Sequence, residues 1–286
     1  MTSSIYLAVL VMVAVGFGGF SMFYGHKTEE VEFHNKGAIL SGTLVQPRRV
    51  VAAIVLIHGS GQEQRMIALS QELAEQGIAT LTYDKRGVGK SGGVYAGPEV
   101  GTNNIDAENL SLLASDAAAA ADELALRLPS NPTVSIGLMG GSQAGWIIPL
   151  AALQSSSVEF MVIWSGPVVT AREQLRFQFY TGGDPDFWDN HTEAEAREHI
   201  SSDPDRFEFV DTNPLESLRA LSTLGLWIFG ALDVNVPVRL CIERLDSLIG
   251  SGKQYQYEVI SGEGHFLPTA KVIPATVEWL NSATAK

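Results

Sequence analysis

Ser142, Asp233 and His265 are the residues of this chain whose types and settings could carry out acyl transfer. Ser142 stands in Gly140-Gly141-Ser142-Gln143-Ala144, between the apolar run TVSIGLM (133–139) and a short helical pattern that reaches about Gln154. A serine hydroxyl is a weak nucleophile at its own pKa and needs an adjacent base. A tight strand-to-helix turn, with strained positive-φ backbone, would expose it at the top of a sheet. Its flanks must be small, because strand and helix pass close together, and Gly140 and Ala144 meet that need. Ala144 departs from the G-x-S-x-G form, with Gly145 following it. The same turn would aim the Gln143 backbone N–H at an attacked carbonyl.

His265, in Gly262 through Phe266, follows the last apolar run and can serve as the base. Asp233 follows the run LWIFG by three residues and can fix the tautomer of that base. Each has a plainer reading alone: a loop histidine is often exposed, and Asp233 could cap a helix opening at Pro237. What joins them is order. Ser, Asp and His each follow a different strand at one sheet edge, in the sequence expected of an α/β-hydrolase sheet.

His58-Gly59-Ser60-Gly61 ends the run VVAAIVLI (50–57). Glycines there let backbone N–H groups approach a developing oxyanion. Ser60 N–H is the expected second donor, with Gly61 as the alternative, and His58 is expected to be structural. The segment Asp84 to Ser91, DKRGVGKS, resembles a phosphate loop, but Gly87 and Gly89 are too close for G-x-x-x-x-G-K. It is expected to be a structural turn with an internal Asp84–Arg86 ion pair. His26, His34, His191 and His199 lack ligand spacing, and His191 and His199 are expected to be exposed. No metal site or cofactor is indicated.

The elements that must position these groups alternate. VEFHN and AILSGTLV read as a hairpin turning at Asn35-Lys36-Gly37. Strands are expected at 50–57, 78–83, 133–139, 159–164, 224–230 and 255–260. Helices are expected at 64–76, 105–128, after Gly145 to about 154, at 237–250 and at 270–283. Buried strands alternating with helices imply a mostly parallel open sheet with helices on both faces. The stretch from Ser165 to Leu224 breaks this rhythm. Helical patterns near Ala171–Tyr180 and Glu193–Ile200 predict a small folded insertion, about 166–222. It would overhang the crevice at the carboxyl ends of the strands as a lid. Its Phe177, Phe179, Tyr180 and Trp188 could favour an apolar substrate, or could simply pack the lid onto the core. Arg172 and Arg176 could instead bind a substrate carboxylate.

Ile5 to Tyr24 form an uncharged apolar run of about one bilayer thickness at 1.5 Å per residue. Residues 1–27 are therefore expected to form a membrane anchor or signal segment, ahead of one domain at 28–286. Tyr6 and Tyr24 sit where an aromatic belt would lie. The rival is a cleaved signal peptide, for which Gly19 and Ser21 are suitably small. Lys27 and Lys36 weakly favour a cytoplasmic domain. Across all 286 residues, 32 acidic groups outweigh 19 Lys and Arg, giving a net charge of -13. Such a surface repels phosphate backbones, which excludes nucleic acid as a partner. Cys241 is the one cysteine, so there is no internal disulfide framework and no Cys-rich zinc site.

Taken together, HGSG at 58–61, DKRGVGKS at 84–91, GGSQAGW at 140–146, GALDVNVP at 230–237 and Gly262 through Phe266 resemble the α/β-hydrolase superfamily. The set is similar to bacterial carboxylesterases and serine aminopeptidase-like hydrolases. The resemblance implies an eight-stranded, mostly parallel sheet with a helical lid, no cofactor and an acyl-serine intermediate. It leaves a small-molecule or peptide acyl substrate open. The chain departs from many relatives at Gly141, where histidine is frequent. The leading expectation is a carboxylesterase using Ser142, Asp233 and His265, with oxyanion donors at Gln143 and Ser60. The alternatives are a peptidase or thioesterase on the same triad, or a catalytically silent binding protein.

Overall fold

In the computed structural model, residues 25–97, 102–128 and 134–283 are described. The run Ile5–Tyr24 lies outside them. Among the described residues no helix is long and apolar enough to cross a membrane.

The expected hairpin is present and longer than its alternating core. β1 (His26–Asn35) pairs antiparallel with β2 (Ala38–Pro47), and Lys36 takes a φ of 45° at the turn. β3 (Ala52–Ile57) and β4 (Ile78–Tyr83) are apolar runs buried at every position, as strands covered on both faces must be. Between them lies α1 (Ile67–Glu75). It starts later than expected, because the residues before it are committed elsewhere. The Met66 N–H donates to Thr82 Oγ1 at 2.7 Å, and the Arg65 N–H donates to Asp84 Oδ1 at 3.0 Å. A short α2 (Thr102–Ile105) precedes α3 (Ala107–Arg127), whose first turn is capped by Asp106. β5 (Ile136–Gly141) leads into α4 (Ala144–Ala152), and β6 (Phe160–Trp164) follows.

Four helices then intervene: α5 (Ala171–Thr181), α6 (Phe187–Asn190), α7 (Glu193–Ser202) and α8 (Pro214–Ala220). α5 and α7 open on full capping boxes, Thr170 with Glu173 and Thr192 with Glu195. The Asn213-Pro214 pair starts α8 by the same logic, with Pro at a position whose N–H has no helical partner. The chain returns through β7 (Leu224–Gly230), α9 (Val238–Gly250), β8 (Tyr255–Ile260) and α10 (Thr269–Ala283).

The strands form an eight-stranded sheet in the order β1-β2-β4-β3-β5-β6-β7-β8, parallel from β4 to β8. This is the expected α/β-hydrolase fold. One face buries Leu110, Ala117, Ile148 and Leu245 from α3, α4 and α9. The other buries Leu73, Val272 and Trp279 from α1 and α10. Register decides what meets at the carboxyl edge. Gly140 of β5 is level with Ile57 of β3 on one side and Ile163 of β6 on the other. The loops after these three strands therefore open side by side.

Candidate active site

Ser142 occupies the turn between β5 and α4 with a φ of 54°. That left-handed conformation is uncommon for a residue with a side chain and marks stored strain. The turn works because its neighbours have no room for more. A Cβ on Gly140 would lie 2.4 Å from the Ile57 carbonyl oxygen and 2.7 Å from Ala144 Cβ. A Cβ on Gly141 would lie 2.3 Å from Trp164 Nε1. The Trp164 indole fills the space that a larger residue at 141 would need, which accounts for the glycine there.

Asp233 follows β7 and His265 follows β8, so the sheet brings both to the edge that carries Ser142. The Ser142 hydroxyl donates to His265 Nε2 at 3.1 Å. His265 Nδ1–H donates to Asp233 Oδ2 at 2.8 Å. The other Asp233 oxygen accepts from the N–H groups of Asn235 (2.7 Å) and Val236 (2.9 Å). Asp233 is thus buried at 1% exposure with its charge spread over three donors, as a buried carboxylate requires. Its backbone carbonyl is held by Trp188 Nε1 from α6, at 3.2 Å.

The His58–Gly61 loop lies against the serine. A Cβ on Gly59 would come within 3.6 Å of Ser142 Cβ. The Gly59 N–H is committed to Glu63 Oε2 at 3.0 Å, whereas no described hydrogen bond uses the N–H of Ser60, Gly61 or Gln143. His58 is buried, and its Nε2–H donates to the Tyr83 carbonyl at 2.6 Å. Burial first, then the nearby Lys85 charge, pushes its pKa down to about 3. It is a neutral tie between the ends of β3 and β4.

A cavity of about 470 Å³ opens over Ser142. Ser60, Glu63 and Met66 line one side, and Gln174, Leu175 and Gln178 of α5 line the other. Glu63 is the carboxylate of this wall. Burial raises its pKa, against the pull of Lys85 and of the Gly59 N–H. Ser165 also lines the cavity, at a φ of 47° and with a buried hydroxyl that has no partner among the described residues. Its strain is invisible to sequence patterning, since nothing in Trp164-Ser165-Gly166 marks a positive φ on the serine.

Three expectations need correction: the Asp84–Arg86 pair, the carboxylate site at Arg172 and Arg176, and the exposure of His199. Asp84 and Arg86 do not pair with each other. Asp84 takes the Arg65 fork (3.1 and 3.0 Å), and Arg86 binds Asp116 of α3 through Nε at 2.8 Å and through Nη2. A guanidinium at 5% exposure needs a fully buried bidentate partner, and α3 supplies one. Arg172 and Arg176 do not reach the cavity; both pair with Asp205, and Arg172 also faces Asp211. The aromatic side chains of the insertion pack on one another. Phe177 is fully buried and stacks on Trp188 at 6.0 Å, and Phe179 meets Phe207. Of the two histidines expected to be exposed, His191 is, but His199 is half-buried, stacked on Tyr180 at 3.6 Å.

The sequence model of the serine aminopeptidase family, S33, matches residues 46–223, more than half of the chain. The chain belongs to this family. It is a hydrolase of the α/β-hydrolase superfamily. The S33 match spans Ser142 and the Ser60 loop and stops before Asp233 and His265. No curated protein matches the chain. Among solved structures it is similar to TT1662 from Thermus thermophilus: TM-score 0.64, 16% identity, 92% of this chain and 99% of that one. The Pyrococcus furiosus esterase Pf2001 gives 0.61 at 18% identity, over 91% and 89%. The Pyrococcus horikoshii acylaminoacyl peptidase gives 0.59 at 16% identity, over 91% of this chain and 41% of the peptidase. At these identities the likeness speaks for the fold of the S33 chain, not for its substrate.

Proposed function

We propose that this S33-family chain cleaves a carboxylic ester through an acyl-serine intermediate. The reading rests on one observation, the continuous hydrogen-bonded line from Ser142 through His265 to Asp233. Ser142 Oγ attacks the ester carbonyl as its proton passes to His265 Nε2. Asp233 holds the imidazole in the tautomer that leaves Nε2 free to accept, and stabilises the imidazolium. The negative oxygen of the tetrahedral intermediate sits against the N–H groups of Gln143 and Ser60. Collapse expels the alcohol, which takes the proton from His265. Water, deprotonated by the same nitrogen, then releases the acid and restores Ser142.

An ester of a neutral acyl group suits the cavity. No Lys or Arg lines it among the described residues, and Glu63 would repel a substrate carboxylate. The helices α5–α8 act as the lid in this proposal, with Gln174, Leu175 and Gln178 selecting the acyl or alcohol part. A peptidase is the second reading, with Glu63 as the one observation behind it, since a cavity carboxylate could hold a peptide α-ammonium. Competing turnover of p-nitrophenyl esters and aminoacyl p-nitroanilides separates the two.

The deciding experiment is labelling of the full-length protein by a fluorophosphonate, beside Ser142→Ala. Labelling confined to the wild type is expected. A folded wild type that does not label would sink the assignment and leave a silent binding protein. Attachment to a membrane, or export after cleavage, is proposed on the apolar run Ile5–Tyr24 alone. Alkaline extraction of membranes and the mass of the mature N-terminus test it.

A further inference from the structure

The segment DKRGVGKS buries a lysine behind the active site. Lys85 is 2% exposed and is not among the residues that line the cavity. Its Nζ donates to the Gly59 carbonyl at 2.7 Å, the Gly61 carbonyl at 3.1 Å and Gln143 Oε1 at 3.0 Å. An ammonium is costly to bury unless its donors are satisfied. These acceptors lie in the two loops that carry the Ser60 and Gln143 N–H groups.

The Gly59 carbonyl and the Ser60 N–H belong to one peptide unit. In a trans peptide they point to opposite sides of a rigid plane. Gripping the carbonyl from behind therefore turns the Ser60 N–H away from Lys85, toward the cavity that Ser60 and Ser142 line. A cation on the carbonyl also polarises the whole peptide and strengthens its N–H as a donor. The third bond reaches the other donor residue. Gln143 is 1% exposed, and its amide is oriented without ambiguity. Oε1 accepts from Lys85, while Nε2 donates to the Asn104 carbonyl (2.8 Å) and to Asn104 Oδ1 (3.0 Å).

We infer that Lys85 is the positioning residue of the oxyanion hole, one buried cation that aims and polarises the Ser60 N–H and locks it in register with that of Gln143. This inference rests on the serine-hydrolase reading. Lys85 touches neither the substrate nor the reacting atoms; it acts through the peptide it holds.

The test compares full-length wild type, Lys85→Met, Lys85→Arg and Gln143→Met. It measures kcat and KM on p-nitrophenyl butyrate, the Ki of a trifluoromethyl ketone that forms an oxyanion adduct with serine, and thermal melting. Lys85→Met is expected to lower kcat about 100-fold, the scale of one lost oxyanion donor, with KM within about threefold. Ketone affinity should fall by a comparable factor. Lys85→Arg keeps charge and donors and should recover part of the loss. Gln143→Met keeps its backbone N–H but cuts one link, and should lose about tenfold in kcat. A merely structural lysine would shift melting and leave the ratio of KM to ketone Ki unchanged. A folded Lys85→Met with wild-type kcat and ketone affinity overturns the inference. If Lys85→Met does not fold, Gln143→Met decides, and wild-type kcat there overturns it. A wild type that neither turns over the ester nor labels with a fluorophosphonate overturns the serine-hydrolase reading, and the inference with it.

Discussion

The loops after β3 and β5 face α5, the first helix of the insertion, across one cavity, and the two sides are built on different terms. On the loop side, atoms are fixed by backbone. Ser142 is forced to positive φ, Gly140 and Gly141 admit no Cβ, and buried Lys85 and Gln143 tie the loops together. On the helical side, a few part-buried ties such as Trp188 to the Asp233 carbonyl stand beside partly exposed charge pairs such as Arg176–Asp205, Arg197–Glu243 and Arg244–Glu173. Such pairs contribute about 0–1 kcal/mol each. The loop side is held by close backbone packing and buried bonds, the helical side in larger part by pairs that water screens. Under the proposed function, chemistry belongs on the first and selection of substrate on the second.

The largest effect should come from disturbing the rigid side. Asp233→Asn keeps the shape of the carboxylate but favours the wrong histidine tautomer. A fall in kcat of about 10⁴ is expected, by analogy with the same change in a serine protease, with little change in fold. Circular dichroism and ester turnover check it. A loss below about tenfold would show that Asp233 does not orient His265.

Next comes the support beneath that side. Arg86 and Asp116 are buried with side-chain exposures of 6% and 1%. Asp116→Asn leaves a buried guanidinium without its charge partner, and a loss of about 3–5 kcal/mol in denaturant unfolding is expected. The Arg172–Asp205 pair, about a third exposed, is the control. Asp205→Asn should cost under about 1 kcal/mol. Equal costs would erase the contrast between the two sides.

The same contrast governs what could be read in advance. Ser142, Asp233 and His265 stood out because each sits just past a strand, where type and order along the chain carry the information. So did the hairpin turn and the capped α5 and α7, whose signals are local. The partners of Asp84 and Arg86 did not, because they come from Arg65 and Asp116, 19 and 30 residues away. Sequence proximity suggested a pair that burial then overruled. Lys85 was hidden by the same loop, since its role depends on carbonyls in two other segments. In the insertion, the aromatic residues were the visible feature, but helical phase turned Phe177 inward and presented Leu175 and the two glutamines to the cavity.

That last point gives a specificity experiment. Leu175→Ala should shift the preferred acyl length of p-nitrophenyl esters, with a change in relative kcat/KM of about tenfold, the scale of one or two methylenes in a pocket. Phe179→Ala, whose ring meets Phe207 and Arg206 away from the cavity wall, should leave the preference unchanged. Reversed outcomes would mean that the aromatic cluster, not the α5 face, meets the substrate.

The smallest effect contrasts the two carboxylates flanking the His58–Gly61 loop. Burial raises the pKa of Asp84, but bonds from Arg65 and from the Lys90 and Arg65 amides outweigh it, and the net shift is downward. Its stabilisation is therefore present above the unfolded pKa of about 3.9 and lost as pH falls through the folded value. Glu63 runs the other way, because burial outweighs Lys85 and the Gly59 N–H and the net shift is upward. The folded state then binds its proton more tightly than the unfolded chain, so ionising Glu63 costs stability as pH rises through the folded pKa. Glu63→Gln can still accept the Gly59 N–H through Oε1 and carries no charge. It should melt about 1–2 °C above wild type at pH 8, with the gap closing below the ordinary value of 4.5. A variant that melts lower at pH 8 would mean that attraction to Lys85 exceeds the burial penalty, making Glu63 and Lys85 a stabilising pair beneath the loop.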